Sequence, residues 1–330
     1  MSRVGIPHGL FYYYYYPLWK TFFTDLGAQV ITSPDTNRSI IDSGVQLAVD
    51  EACFPIKVYF GHVKQLCNEN LDYIFIPRIV SVESKSYICP KFMGIPDMVK
   101  ALVPNLPEVI DLTVDLSKSD RNFKRGLFEV GRLFGNNRRS IANAYEHGMQ
   151  ELKFCRSLAR TGFSLAEAIR IWEGDLFDIG RSFDLNIGLL GHGYSIYDST
   201  IGMNLINHLR GLGCRVVLPE MMDRRQVEAA AATIPKRVFW TLGRKMVGSA
   251  FAMDKSVLVD GIIYVACFGC GPDSLIGEII QRKIKQKPFM LLTVDEHTGE
   301  AGILTRLEAF SDMIRRKRSA ARESNLSSYG

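Results

Sequence analysis

Long apolar runs are missing from this chain. The longest, Phe11 to Trp19 and Phe289 to Val294, fall well short of the ~20 residues that span a bilayer, and the tyrosines of the first make it amphipathic, so no membrane span is expected. Charge of one sign is scarce too: 40 lysines and arginines against 35 aspartates and glutamates leave a formal charge of +5, much of it in the run Arg315 to Arg318. That run reads as a solvated, frayed helix end, and no nucleic-acid recognition motif accompanies it. The absence of a Gly-x-x-x-x-Gly-Lys-Ser/Thr loop excludes the P-loop nucleotide-binding folds. Only one Cys-x-x-Cys pair occurs, Cys267 with Cys270, and neither a second pair nor a His-x-x-x-His stands ready to complete a zinc site. A thioredoxin-like centre is disfavoured as well, because its pair opens a helix early in a domain, whereas this one follows a late strand. No secretory signal is visible and the seven cysteines are odd in number, so a reducing, cytoplasmic setting is expected.

The 330 residues, 47% of them hydrophobic, can bury a sizeable core and should form about two domains. Arg3 to Ile6 and Gln29 to Thr32 read as short strands, and Tyr73 to Ile76 as a strand apolar on both faces, as in a covered parallel sheet. Helical patterns over Tyr12 to Leu26, Ser39 to Ala48 and Pro55 to Asn68 separate them. Residues 119–184 carry helical periodicity alone, and Ser164-Leu-Ala-Glu167 fits a capping box. Strand patterns resume at Asn186 to Leu190, Arg215 to Leu218, Gly261 to Val265 and Phe289 to Val294, with a helix expected through Gly211. The reading is an α/β fold of two Rossmann-like parallel-sheet units, 1–118 and 185–330, facing each other across a cleft and joined by a helical connector, 119–184. Ligands of open parallel sheets sit beyond the carboxyl ends of strands.

Three cysteines stand out, each placed where a hydrophobic strand is expected to run out: Cys53 before Phe54 and Pro55, Cys89 before Pro90, and Cys270 between Gly269 and Gly271. Proline and glycine suit tight turns whose amides can face an anionic sulfur. Three thiolates can hold an iron–sulfur cluster and leave one iron open, because a cubane takes four ligands. Cys67, Cys155 and Cys214 lack that context and read as core residues. Cys267 reads either as a core thiol or as a fourth ligand. The segment Gly188 to Gly193 follows a strand and opens a helix, but its glycines do not fit the dinucleotide fingerprint. His192, Tyr194, Tyr197 and Asp198 read either as a polar cleft wall or as a capped helix start.

The segments around these residues, with Gly5 to Leu10, Asp72 to Arg78, Asp260 to Tyr264 and Asp295 to Gly302, resemble the activase-related branch of the 2-hydroxyacyl-CoA dehydratase and double-cubane cluster superfamily. The resemblance spans nearly the whole chain and is to the dehydratase component, not to the ATPase, whose Asp-Gly-Gly phosphate loops are absent. It implies a [4Fe–4S] cluster on Cys53, Cys89 and Cys270, with a double-cubane [8Fe–9S] group less favoured. It further implies low-potential electrons from an ATP-dependent activase with its own cluster, and reduction or dehydration of a small substrate at an open iron. A second subunit or a homodimer would fit, as would a non-catalytic electron-transfer subunit; no nucleic acid or membrane is implied. Glu296 and His297 are the expected proton donor or base, and Arg306 the expected anion holder.

Overall fold

The computed structural model describes residues 1–177 and 182–327, with side chains through residue 320. In chain order the first elements are β1 (Arg3–Ile6), α1 (Tyr12–Asp25), β2 (Gln29–Thr32), α2 (Arg38–Leu47), α3 (Phe54–Leu66), β3 (Tyr73–Phe75), β4 (Arg78–Ser81), α4 (Pro90–Leu102), β5 (Glu108–Ile110) and β6 (Thr113–Asp115). Strands β2, β1, β3 and β5 form one parallel sheet in that order, and β4 pairs with β6 in a two-stranded parallel sheet. Three helices follow: α5 (Arg121–Leu133), α6 (Arg138–Arg160) and α7 (Leu165–Trp172). The second sheet is built from β7 (Leu185–Gly191), α8 (Gly193–Ile196), α9 (Leu205–Gly211), β8 (Cys214–Val217), α10 (Arg224–Ala231), α11 (Thr241–Lys255), β9 (Gly261–Cys267), α12 (Gly271–Lys283), β10 (Phe289–Val294) and α13 (Glu300–Ser327). Its strands run in the order β10, β9, β7, β8, all parallel.

These elements follow local chemistry closely. β9 is buried along its whole length, as a central parallel strand covered on both faces must be. The Ser164 hydroxyl accepts from the Glu167 amide while the Glu167 carboxylate takes the Ser164 amide, closing the expected capping box at α7. The fold class read from the sequence, α/β with parallel sheets, is the one found. One expected helix is broken: the chain does not run helically to Gly211 but stops after α8, because the Asp198 carboxylate takes the amides of Thr200 and Ile201 and the backbone turns left-handed at Met203 and Asn204.

Helices α2 and α3 cross with their backbones touching. A Cβ on Gly61 would lie 1.9 Å from the Ile40 carbonyl oxygen, and one on Gly44 2.0 Å from that of Lys57. Two glycines thus fix the placement of α3, the helix that Cys53 heads. The basic tail is held at Arg315 and Arg318, while Arg316 and Lys317 are exposed as expected: α13 buries Ile303, Leu307, Phe310 and Ile314, and that docking aims Arg315 at Asp184 and the Leu212 carbonyl, and Arg318 at Asp260 and the Asp184 carbonyl. No helix among the described residues is long and apolar enough to cross a membrane.

Candidate functional site

Cys53, Cys89 and Cys270 are the N-cap residues of α3, α4 and α12. The expectation that each ends a strand is corrected for two of them. Cys53 follows a helix and Cys89 a loop after β4, and only the Cys270 turn comes directly off a strand, β9. The proline in each first turn explains the positions better: Pro55, Pro90 and Pro272 have no amide to give up where a helix starts, so the preceding cysteine becomes the cap. None of the three thiols caps its own helix.

The three helix starts come from both halves of the chain and converge. A Cβ on Gly269 would sit 3.7 Å from the Cys53 Cα, so the turn that carries Cys270 lies against the turn that carries Cys53. Electrostatically Cys53 feels Cys89, and Cys270 feels both Cys53 and Cys267. Burial pushes the thiol pKa upward at Cys53 and Cys89, against the pull of the nearby Lys91 charge, and pushes Cys270 and Cys267 up further. Thiols held in their protonated form are poor nucleophiles. A bound cation reverses that balance, because a coordinating thiol gives up its proton. All seven cysteines are free.

Cys267 is buried and donates to the Ser195 hydroxyl at 3.2 Å. Of the cysteines read as core, Cys155 and Cys214 are buried, and the half-buried Cys67 donates to the Val63 carbonyl. Glu296 forms a 2.5 Å ion pair with Lys57, one turn inside α3. Burial is the largest influence and raises its pKa, but the Lys57 hydrogen bond, a backbone amide and the neighbouring positive charges together outweigh it and leave the carboxyl below its usual range. His297 is exposed, its amide held by Asp295, and Arg306 is exposed on α13 with no ion pair among the described residues.

Sequence reasoning read the most telling neighbour of Cys270 only as part of a polar cleft wall or of a capped helix start. His192 leaves β7 and is 5% exposed, and its Nε2 lies 3.1 Å from Oδ1 of the buried Asp273. The same carboxylate accepts from the Tyr264 hydroxyl at 2.8 Å and from the Cys267 amide at 3.2 Å. Nδ1 of His192 has no hydrogen-bond partner among the described residues, a burial that costs about 1–3 kcal/mol. The Gly-His-Gly stretch at a strand end was visible in the sequence; the partner 81 positions further on was not.

A second compartment lies on the other side of α8. His192 and Tyr194 share a small pocket with Cys89 and Pro272, whereas Ile196, Tyr197 and Asp198 line a cavity of about 520 Å³ with His8, Tyr13, Thr36 and Glu173. Beside this cavity a buried chain of hydrogen bonds joins the two halves. The His8 amide donates to the Ser33 hydroxyl, which meets His62 Nδ1 at 2.9 Å; His62 Nε2 meets the Thr36 hydroxyl, also at 2.9 Å, and Thr36 donates to Asp198. Thr36 gives its proton to the carboxylate, so it accepts from His62 Nε2–H, and in the neutral ring Nδ1 accepts from Ser33. Burial first, and the neighbouring His8 second, push the His62 pKa down to about 3. A histidine depressed below its unfolded value of ~6.5 contributes stability that is complete above that pH and is lost as pH falls toward 3, at ~1.4 kcal/mol per unit. Between pH 6.5 and 5 the protein should therefore lose about 2 kcal/mol more than a His62→Gln variant in urea unfolding. Parallel pH profiles for the two proteins would show that His62 is not held neutral.

Residues 3–222 match the family model described as the CoA enzyme activase uncharacterised domain, more than half of the chain. The chain belongs to that family. No curated protein matches it. The CoA enzyme activase domain match takes in Cys53, Cys89 and His192 and ends before β9, so Cys267, Cys270 and Asp273 lie beyond it.

Proposed function

We propose that this chain is the cluster-bearing partner of an ATP-hydrolysing activase. In this reading Cys53, Cys89 and Cys270 hold a [4Fe–4S] cluster, the activase with its own cluster delivers low-potential electrons to it, and the chain uses them to reduce or dehydrate a small substrate. One observation carries the reading: three helices from both halves of the chain start close together, each with a cysteine at its N-cap position and a proline in its first turn. An iron–sulfur cluster with thiolate ligands is anionic, and helix starts with unsatisfied amides suit it, as does the Lys91 charge beside Cys53 and Cys89. When bound, such a cluster supplies one-electron redox chemistry.

The chain's own residues position and enclose. Lys57 and Glu296 tie the helix headed by Cys53 to the loop after β10, and Tyr194, buried beside Cys270 and Cys53, shields the thiols from water. His297 and Arg306, both exposed, have no part in this reading. The core placement of Cys155 and Cys214 supports a single cubane over a double one. Membership in the CoA enzyme activase domain family supports the pairing with an activase.

Protein purified without oxygen should be brown, contain iron and acid-labile sulfide in near-equal amounts, give a paramagnetic resonance signal on reduction, and bleach in air. A colourless chain holding stoichiometric zinc after the same handling would sink the proposal.

A further inference from the structure

The geometry points to His192 as the fourth ligand of this centre, binding through Nδ1, an inference that rests on the cluster reading above. His192, Cys270 and Asp273 each present a ligand-type atom, all within 4.8 Å of one another and all buried. The hydrogen-bond inventory sorts the three. Asp273 is spent: Oδ1 receives the Tyr264 hydroxyl and faces His192 Nε2, and Oδ2 receives the Cys267 amide. An oxygen that already accepts from a tyrosine hydroxyl acts as an acceptor toward imidazole as well, so the proton of His192 sits on Nε2 and the lone pair on Nδ1.

That Nδ1 has no other use among the described residues. It makes no hydrogen bond, and although His192 is the N-cap of α8 its side chain does not cap the helix. A histidine whose Nε2 lies 3.1 Å from a buried carboxylate while its Nδ1 stands bare and buried has the makings of a metal ligand backed by a second shell, in which such a carboxylate fixes the tautomer and raises the basicity of the ligating nitrogen. Here the carboxylate, Asp273, sits three residues beyond Cys270 in the same helix start, so one turn would orient both a thiolate and an imidazole ligand. Cys267 is committed to Ser195 and is left out of the set. The proposed set is three thiolates and one imidazole, which occupies the position that three cysteines alone would leave open, so a substrate taken up by that iron must displace the imidazole.

The test is pulsed paramagnetic resonance on the reduced, anaerobically purified full chain. Wild type should show nitrogen hyperfine coupling from a coordinated imidazole. His192→Ala should lose that coupling and keep most of its iron on the three thiolates, and His192→Cys should keep iron fully while losing the coupling. Wild type with a cluster but no nitrogen coupling, or a coupling that survives in both variants, overturns the assignment and leaves the cluster reading intact. Wild type without iron and sulfide overturns both. Because the wild-type spectrum alone decides, a variant that fails to fold does not rescue the proposal.

Discussion

Replacing Cys270 by serine should leave the chain nearly free of iron, whereas Cys267→Ser should retain most of it. The two residues share one turn, yet their surroundings differ. Cys270 caps α12 beside Cys53 and His192, while Cys267 ends β9 with its thiol already donating to Ser195. A serine at 267 can keep that bond, since a hydroxyl is at least as good a donor as a thiol. At 270 a hydroxyl replaces a group that metal would deprotonate, and the remaining two thiolates and one imidazole bind far more weakly. Iron and sulfide counts on both variants, with a circular dichroism check that each is folded, decide the matter. Equal and complete loss in both would make Cys267 a ligand and remove His192 from that role.

The second large effect is mechanical. Gly61→Ala should destabilise the protein by about 3 kcal/mol or more, because the new methyl meets backbone that cannot swing aside, and α2 and α3 must separate. Gly302→Ala is the contrast: it lies in α13 with nothing within 4 Å of the added carbon, and should be neutral or stabilise by up to ~1 kcal/mol. Urea unfolding of the two variants measures both. If Gly61→Ala costs no more than Gly302→Ala, the close crossing described here is wrong. A milder α3 displacement should also show as reduced iron retention, since Cys53 caps that helix.

The parallel architecture was legible because its signals are local. β1, β2 and β10 have the limits read for them, and the Ser164 capping box formed as its spacing requires. What escaped detection depends on pairs far apart in sequence. Among the described residues the short β4 and β6 pair with each other, a partnership across more than thirty residues that no local pattern announces. The helix break before α9 follows from Asp198 capturing two amides, a competition that periodicity cannot register. Three cysteines could be singled out from their prolines and glycines, but the His192 and Asp273 contact, the Lys57 and Glu296 pair and the tail arginines on Asp184 are products of tertiary approach.

The division of the cysteine site between two sheets also sets a timetable. Cys53 and Cys89 leave the ribosome early, with the tyrosines of α1, while His192 and Cys270 come much later. At ~5–20 residues per second, translation leaves the first two thiols without their partners for on the order of ten seconds or more. During that interval the first sheet can fold, but α8, only four residues long and held by the Tyr14 hydroxyl at its Gly193 amide, does not yet exist to cover them. The nascent chain therefore exposes two unprotected thiols that the finished protein largely encloses, and synthesis in air is a hazard separate from any that the mature molecule meets.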